Sequence, residues 1–229
     1  MKDVRRAFAD TLPIMTGYVV LGIGFGILLS TKGYGPWWAF GMGVIIYSGA
    51  MQYVAVDLIS GGASLVTAAL ATLMVSARHL FYGISMVDRY RGAGAKKFYM
   101  VYALTDETYS LVCSSGEGED RRRYHRYCFL VSLLDQAYWV GGSVIGGLLG
   151  PVIPFNTEGI DFALTALFVT ICVDQWLSVR NHLSALTGFG ATLACLLLFG
   201  RENFLIPAML AITGALLLLR PRLEAVVYE

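Results

Sequence analysis

Charge is what this sequence has least of. Asp, Glu, Lys and Arg make up 14% of its 229 residues, where a soluble domain carries about 25%. That scarcity excludes an ordinary soluble enzyme and a nucleic-acid binder, and the apolar richness excludes a disordered chain. No sign of charge prevails either. Seventeen basic and 16 acidic residues leave a net charge of +1, which implies no strongly charged partner. The four cysteines (Cys113, Cys128, Cys172, Cys195) show no C-x-x-C or other ligand spacing. They read as small apolar fillers, with neither a disulfide framework nor a metal site. The sequence also lacks G-x-S-x-G, H-E-x-x-H and a P-loop. Its three histidines (His79, His125, His182) lie in different regions. We expect no enzyme and no cofactor.

What is there is hydrophobic: 56% of residues, with a mean hydropathy of +0.63 and 26 glycines. A membrane span needs about 20 apolar residues to cross about 30 Å of hydrocarbon. Eight segments qualify: 11–30, 36–58, 63–87, 98–115, 127–150, 160–179, 183–200 and 203–219. The expected fold is therefore an all-α polytopic membrane protein with seven or eight transmembrane helices. It forms a single transmembrane domain over 1–229. The fourth segment is the weakest, because Asp106 and Glu107 sit at its centre. It reads as a full span, with a re-entrant or surface helix as the alternative. No small-residue cleavage site follows MKDVRR, so the first helix reads as retained. Basic loops mark the cytoplasmic side. Lys2, Arg5 and Arg6, then Arg121, Arg122, Arg123 and Arg126, then Arg180, Arg220 and Arg222 all agree with a cytoplasmic N-terminus in a bacterial inner membrane. The 88–97 loop, with Arg89, Arg91, Lys96 and Lys97, disagrees: eight full spans place it outside.

Shifting the sequence by 120 residues aligns Tyr18, Val20, Gly22, Gly26, Leu28 and Leu29 with Tyr138, Val140, Gly142, Gly146, Leu148 and Leu149. These are six identities in twelve positions. The same shift pairs Thr67, Ala71, Thr72 and Leu73 with Thr187, Ala191, Thr192 and Leu193. Two half-repeats are expected, 11–115 and 127–219, parallel if 98–115 crosses and inverted if it does not. Repeated halves suit a secondary transporter with its site between them. The glycine-rich faces in 17–26 and 141–150 suit close helix packing, against each other or a further helix.

A charge at a helix centre costs about 2.5–3.5 kcal/mol on insertion scales, so it needs a partner, a cavity or a function. IIYSGAMQYVAVD places Ser48, Gly49 and Ala50 at midspan, with Gln52 one turn on and Asp57 near the expected cytoplasmic end. Small residues let a helix unwind and expose amide and carbonyl groups to a zwitterion. Tyr47, Met51 and Tyr53 would line an apolar pocket. The plainer alternative is helix packing, with Gln52 as an interhelical hydrogen bond. SARHLFYG carries Arg78, His79 and Tyr82. The arginine suits a carboxylate and the histidine a proton, or Arg78 snorkels to the interface. ALTDETYS carries the adjacent acids Asp106 and Glu107, which suit a proton carrier or an ion pair with Arg78. Asp135-Gln136 and Asp174-Gln175 fall within or near the ends of later spans.

DTLPIMTGY, IIYSGAMQYV, SARHLFYG and ALTDETYS, in that order, resemble the AzlC family. GGSVIGGLLG and DFALTALFV fit as well. That family comprises the large subunits of bacterial branched-chain amino-acid exporters, also called BrnF or LIV-E. The resemblance covers roughly residues 10–200. It implies proton-driven export of leucine, isoleucine, valine and often methionine, with a small hydrophobic AzlD-type partner subunit. By position, the motif residues are Tyr47, Ser48, Gly49, Ala50, Gln52, Arg78, His79, Tyr82, Gly83, Thr105, Asp106 and Glu107. From these, the expected substrate-binding residues are Tyr47, Ser48, Gly49, Ala50, Gln52, Arg78 and Tyr82. The expected proton-coupling residues are Asp106, Glu107 and His79. Many relatives carry a proline where this chain has Thr165. The competing reading is a membrane-embedded scaffold or regulatory subunit of another transport protein.

Overall fold

The structure is a computed structural model that describes residues 2–115, 120–152, 169, 172–173, 176–177 and 182–227. The expected 151–159 loop and 160–179 span, with Thr165, Asp174 and Gln175, lie essentially outside these residues. Every regular element described is an α-helix. The chain forms two compact units, Met1–Leu164 and Thr165–Glu229. The second holds α8 (Leu183–Asn203), kinked at Gly200 where φ is +72°, and α9 (Leu205–Val227), which pack on each other.

The first unit is built on α1 (Lys2–Thr31) and α7 (Arg121–Leu149). Both are long and apolar enough to cross a membrane. They run parallel, in contact along their length. Arg123 Nε donates to Asp3 Oδ1 at 2.8 Å, and Tyr127 Oη to Asp10 Oδ2 at 2.8 Å. Gly22 packs on Trp139 and Gly142, Gly26 on Ser143 and Gly146, and Gly150 on Ser30. A Cβ at Gly26 would stand 2.1 Å from the Ser143 carbonyl oxygen, and one at Gly146 2.1 Å from that of Ile23. Small residues every fourth position therefore let two backbones touch. The two glycine-rich faces cover each other, and their contacts are offset by about the same 120 residues that the sequence shows.

The segment expected to span 36–58 does not continue through. It folds as α2 (Pro36–Ile45) and α3 (Gly49–Ser60) around a break at 46–48. Pro36 packs on Gly147 and Gly43 on Val140, so α2 descends against α7 from the far end. Then α3 climbs back. Gly49 meets Trp139, Tyr53 Oη donates to the Leu21 carbonyl at 2.8 Å, and Asp57 ends 3.9 Å from Lys32 at the end of α1. Asp57 is thus at the far end, opposite its expected place.

The segment expected to span 98–115 does the same from the other side. Helix α4 (Leu65–Ser85), bent by 50° between Leu73 and Val75, brings the chain to the N-terminal end of α1 and α7. Helix α5 (Lys96–Tyr102) then rises along α7: Lys96 lies over Phe129, and Tyr99 Oη donates to Gln136 Oε1 at 2.7 Å. After a break at 103–105, α6 (Asp106–Ser114) returns. Thr108 meets Asp135, the Val112 carbonyl accepts from Tyr124, and the Cys113 and Ser115 carbonyls accept from Arg89.

These four helices have 10, 12, 7 and 9 residues. At about 1.5 Å per residue none reaches across about 30 Å of hydrocarbon. Apolar composition alone does not distinguish a segment that crosses from one that enters and returns, which is why hydropathy reads both as spans. Among the described residues three helices are long and apolar enough to cross (3–31, 121–149, 183–200), or four with α4.

Candidate functional site

The two hairpin tips meet at mid-height of α7. The Tyr47 and Tyr102 rings stand 6.2 Å apart, and Tyr102 Oη donates to the Val44 carbonyl. The first tip holds Tyr47 at φ +39°, left-handed backbone that a non-glycine residue rarely adopts and that costs about 1–3 kcal/mol. Ser48 follows as N-cap of α3, but its side chain makes no capping bond. At the second tip Thr105 caps α6 by accepting from the Thr108 amide at 3.3 Å. Asp106 and Glu107 occupy the first turn of α6, where acids suit the positive end of the helix dipole. The positive ends of two half-helices therefore both start at this level.

Beside the first tip lies a cavity of about 350 Å³. Ile45, Ile46, Tyr47, Ser48 and Met51 line it from the break, Thr72, Ser76 and His79 from α4, and Tyr102 from α5. Small-molecule pockets run from about 300 Å³ upward. Of the expected substrate residues, Tyr47 and Ser48 line this cavity. Gly49, Ala50 and Gln52 do not; they are packed behind it. A Cβ at Gly49 would meet the Trp139 ring at 2.9 Å. Trp139 Nε1 donates to Gln52 Oε1 at 2.7 Å, while Gln52 Nε2 is buried without a partner among the described residues. Tyr53 lies elsewhere, its ring edge-on to Phe25.

Arg78, Tyr82 and Asp106 form one group. Arg78 Nη1 stands 3.0 Å from Asp106 Oδ2, and Tyr82 Oη donates to Asp106 Oδ1 at 2.7 Å. Tyr82 also stacks on Tyr109 at 4.5 Å. His79 links this group to the cavity: it lines the cavity, sits 3.2 Å by Nδ1 from the Ser76 carbonyl, and turns its ring edge toward Tyr82. Glu107 stands apart, with Oε2 accepting from Tyr18 Oη at 2.6 Å; the Tyr18 hydroxyl is also 2.6 Å from Thr105 Oγ1.

Three further polar side chains to which the sequence assigns no role, Asp135, Trp139 and Tyr18, also converge here. Asp135, fully buried, accepts from Thr108 Oγ1 at 2.7 Å through Oδ2; its Oδ1 has no partner among the described residues. Trp139 holds Gln52, and Tyr18 holds Glu107. The signal available for Asp135 is its place at the middle of α7, far from either helix end.

A family model described as AzlC protein matches residues 13–153. The branched-chain amino acid transport protein AzlC of Bacillus subtilis is 44% identical over 220 residues, covering 96% of this chain and 86% of that protein. An uncharacterized membrane protein of Helicobacter pylori is 38% identical, covering 98% of each chain. The inner membrane protein YgaZ of Escherichia coli is 29% identical, covering 70% of this chain and 68% of that one. No solved structure matches.

Proposed function

The chain belongs to the AzlC family, and on that premise we propose that it exports branched-chain amino acids through the cavity between its two hairpin tips. Protons moving inward drive the export, and a small AzlD-type subunit completes the transporter. The observation that carries this reading is the cavity itself, set where the half-helix α3 begins. An amino acid brings a carboxylate, an ammonium and an apolar side chain. The amide end of α3, which begins at the cavity wall, suits the carboxylate. The hydroxyls of Ser48, Thr72 and Ser76 supply polar partners. Ile45, Ile46, Met51, Tyr47 and Tyr102 suit a branched side chain. Because a pocket separates side chains differing by one methylene by only about 1–3 kcal/mol, leucine, isoleucine and valine share it.

The hairpins also support the orientation. With both turning back, the 88–97 loop lies at the end where α1 and α7 begin: His125 Nε2 is 3.0 Å from the Arg89 carbonyl. Arg5, Arg6, Arg89, Arg91, Lys96, Lys97 and the Arg121–Arg126 cluster then share one side. That side is the cytoplasmic one, in a bacterial inner membrane. Asp106, Glu107, His79 and the buried Asp135 make up the region through which protons pass.

Counterflow of labelled leucine in proteoliposomes tests the reading. The chain with its partner subunit should exchange leucine, isoleucine and valine but not lysine or glutamate, and the chain alone should exchange little. Absence of leucine exchange by the two together, or full flux by the chain alone, contradicts the corresponding part.

A further inference from the structure

Three carboxyls approach the hairpin tips, and their surroundings differ. Asp106 has an arginine and a tyrosine hydroxyl. Glu107 has the Tyr18 hydroxyl. Asp135 is fully buried at the middle of the spanning helix α7, with one hydroxyl on Oδ2 and a buried Oδ1 that nothing described satisfies. A charge so placed without a countercharge is costly, whereas a proton on Oδ1 removes the charge and turns the orphan atom into a donor.

We propose that Asp135 is the carboxyl that carries the coupling proton, with the Tyr47 hydroxyl joining it to the substrate cavity. The proposal rests on the proton-coupled transport reading above. Its geometry is one hairpin holding the side chain and the other bringing a buried hydroxyl within electrostatic reach of it. Thr108, in the first turn of α6, holds Oδ2. Tyr47, at the other tip, lines the cavity, and its buried hydroxyl has no hydrogen-bond partner among the described residues. The groups within electrostatic reach of this pair are Glu107 from α6 and Tyr99 from α5, with Tyr18 from α1 bound to Glu107. The charged group among them is another acid, and Arg78 is committed to Asp106. A cation entering the cavity therefore has an uncompensated carboxyl to serve. Asp135 does not line the cavity, so the substrate ammonium acts on it across Tyr47: its charge favours the carboxylate, the proton leaves Oδ1 for water as the amino acid binds, and it returns when the amino acid departs. One carboxyl that the bound amino acid's charge deprotonates is what exchange of an amino acid for a proton requires.

The test measures leucine affinity against pH and proton release on leucine binding, in weakly buffered solution, for the full chain with its partner subunit. In the unaltered protein leucine should expel protons, and its affinity should change by up to about tenfold per pH unit. Asp135→Asn should bind leucine at a pH-independent affinity, expel no protons and lose gradient-driven export. Should Asp135→Asn fail to bind, Asp135→Glu decides: coupled transport with a displaced pH profile supports the assignment, and loss of coupling overturns it. Proton release that persists in Asp135→Asn overturns the assignment alone. Leucine exchange without proton release in the unaltered protein overturns the coupled reading and this assignment with it.

Discussion

Gly49 shows how one side chain, or its lack, sets the site. The position is expected to let a ligand approach, and the structure gives it a different neighbour, the Trp139 ring at 2.9 Å from where a Cβ would stand. That ring also satisfies Gln52. Gly49→Val would push Trp139 aside and leave Gln52 and the indole N–H buried and unpaired. Overpacking costs about 1–3 kcal/mol, and each orphaned polar group about 1–3 kcal/mol more. Leucine counterflow should fall sharply in Gly49→Val and recover in part when Trp139→Phe makes room. Wild-type exchange by the single variant would show that the tip does not depend on this contact. At this scale the sequence is partly legible. Ser48, Gly49 and Ala50 are legible as small residues at which a helix can unwind, whereas L-T-D-E reads as adjacent acids within a span, and that Thr105 caps a new helix there is seen only in the structure. The roles of Asp135 and Trp139 are not legible: Asp135 stands out only as half of a polar pair with Gln136, Trp139 not at all, and their partners lie 27 and 87 positions away.

At the scale of elements, the α1–α7 pair is the frame against which both hairpins are set. Its glycines are separable by geometry. A Cβ at Gly146 meets the Ile23 backbone at 2.1 Å, while one at Gly141 meets nothing within 4 Å. Gly146→Ala should force the helices apart and lower the thermal midpoint in detergent by several degrees. Gly141→Ala should change stability by about 0.5 kcal/mol or less. Equal effects would refute the glycine contact as what joins the pair. The long apolar helices are readable because length and composition decide them: 11–30 falls within α1, 127–150 matches α7, and 183–200 falls within α8. The hairpins are not, because 36–58 holds no charge before Asp57 and no proline beyond the first turn of α2. What decides their path is packing on α7, which periodicity does not encode. The basic 88–97 loop is the sequence feature that points to them.

On the scale of the molecule, two hairpins enter from opposite ends of the α1–α7 pair and their tips meet beside one cavity; in the transport reading proposed above they are its two gates. Everything proposed about substrate and proton depends on that path. The direct measurement is labelling of single cysteines by a membrane-impermeant thiol reagent, in a cysteine-free background, from each side of the membrane. Ala63→Cys lies in the turn after α3 and Ala95→Cys precedes α5, both exposed. The hairpin path predicts that Ala63→Cys reacts from outside and Ala95→Cys from the cytoplasm. Eight full spans predict the reverse at both positions, and that result would contradict the account.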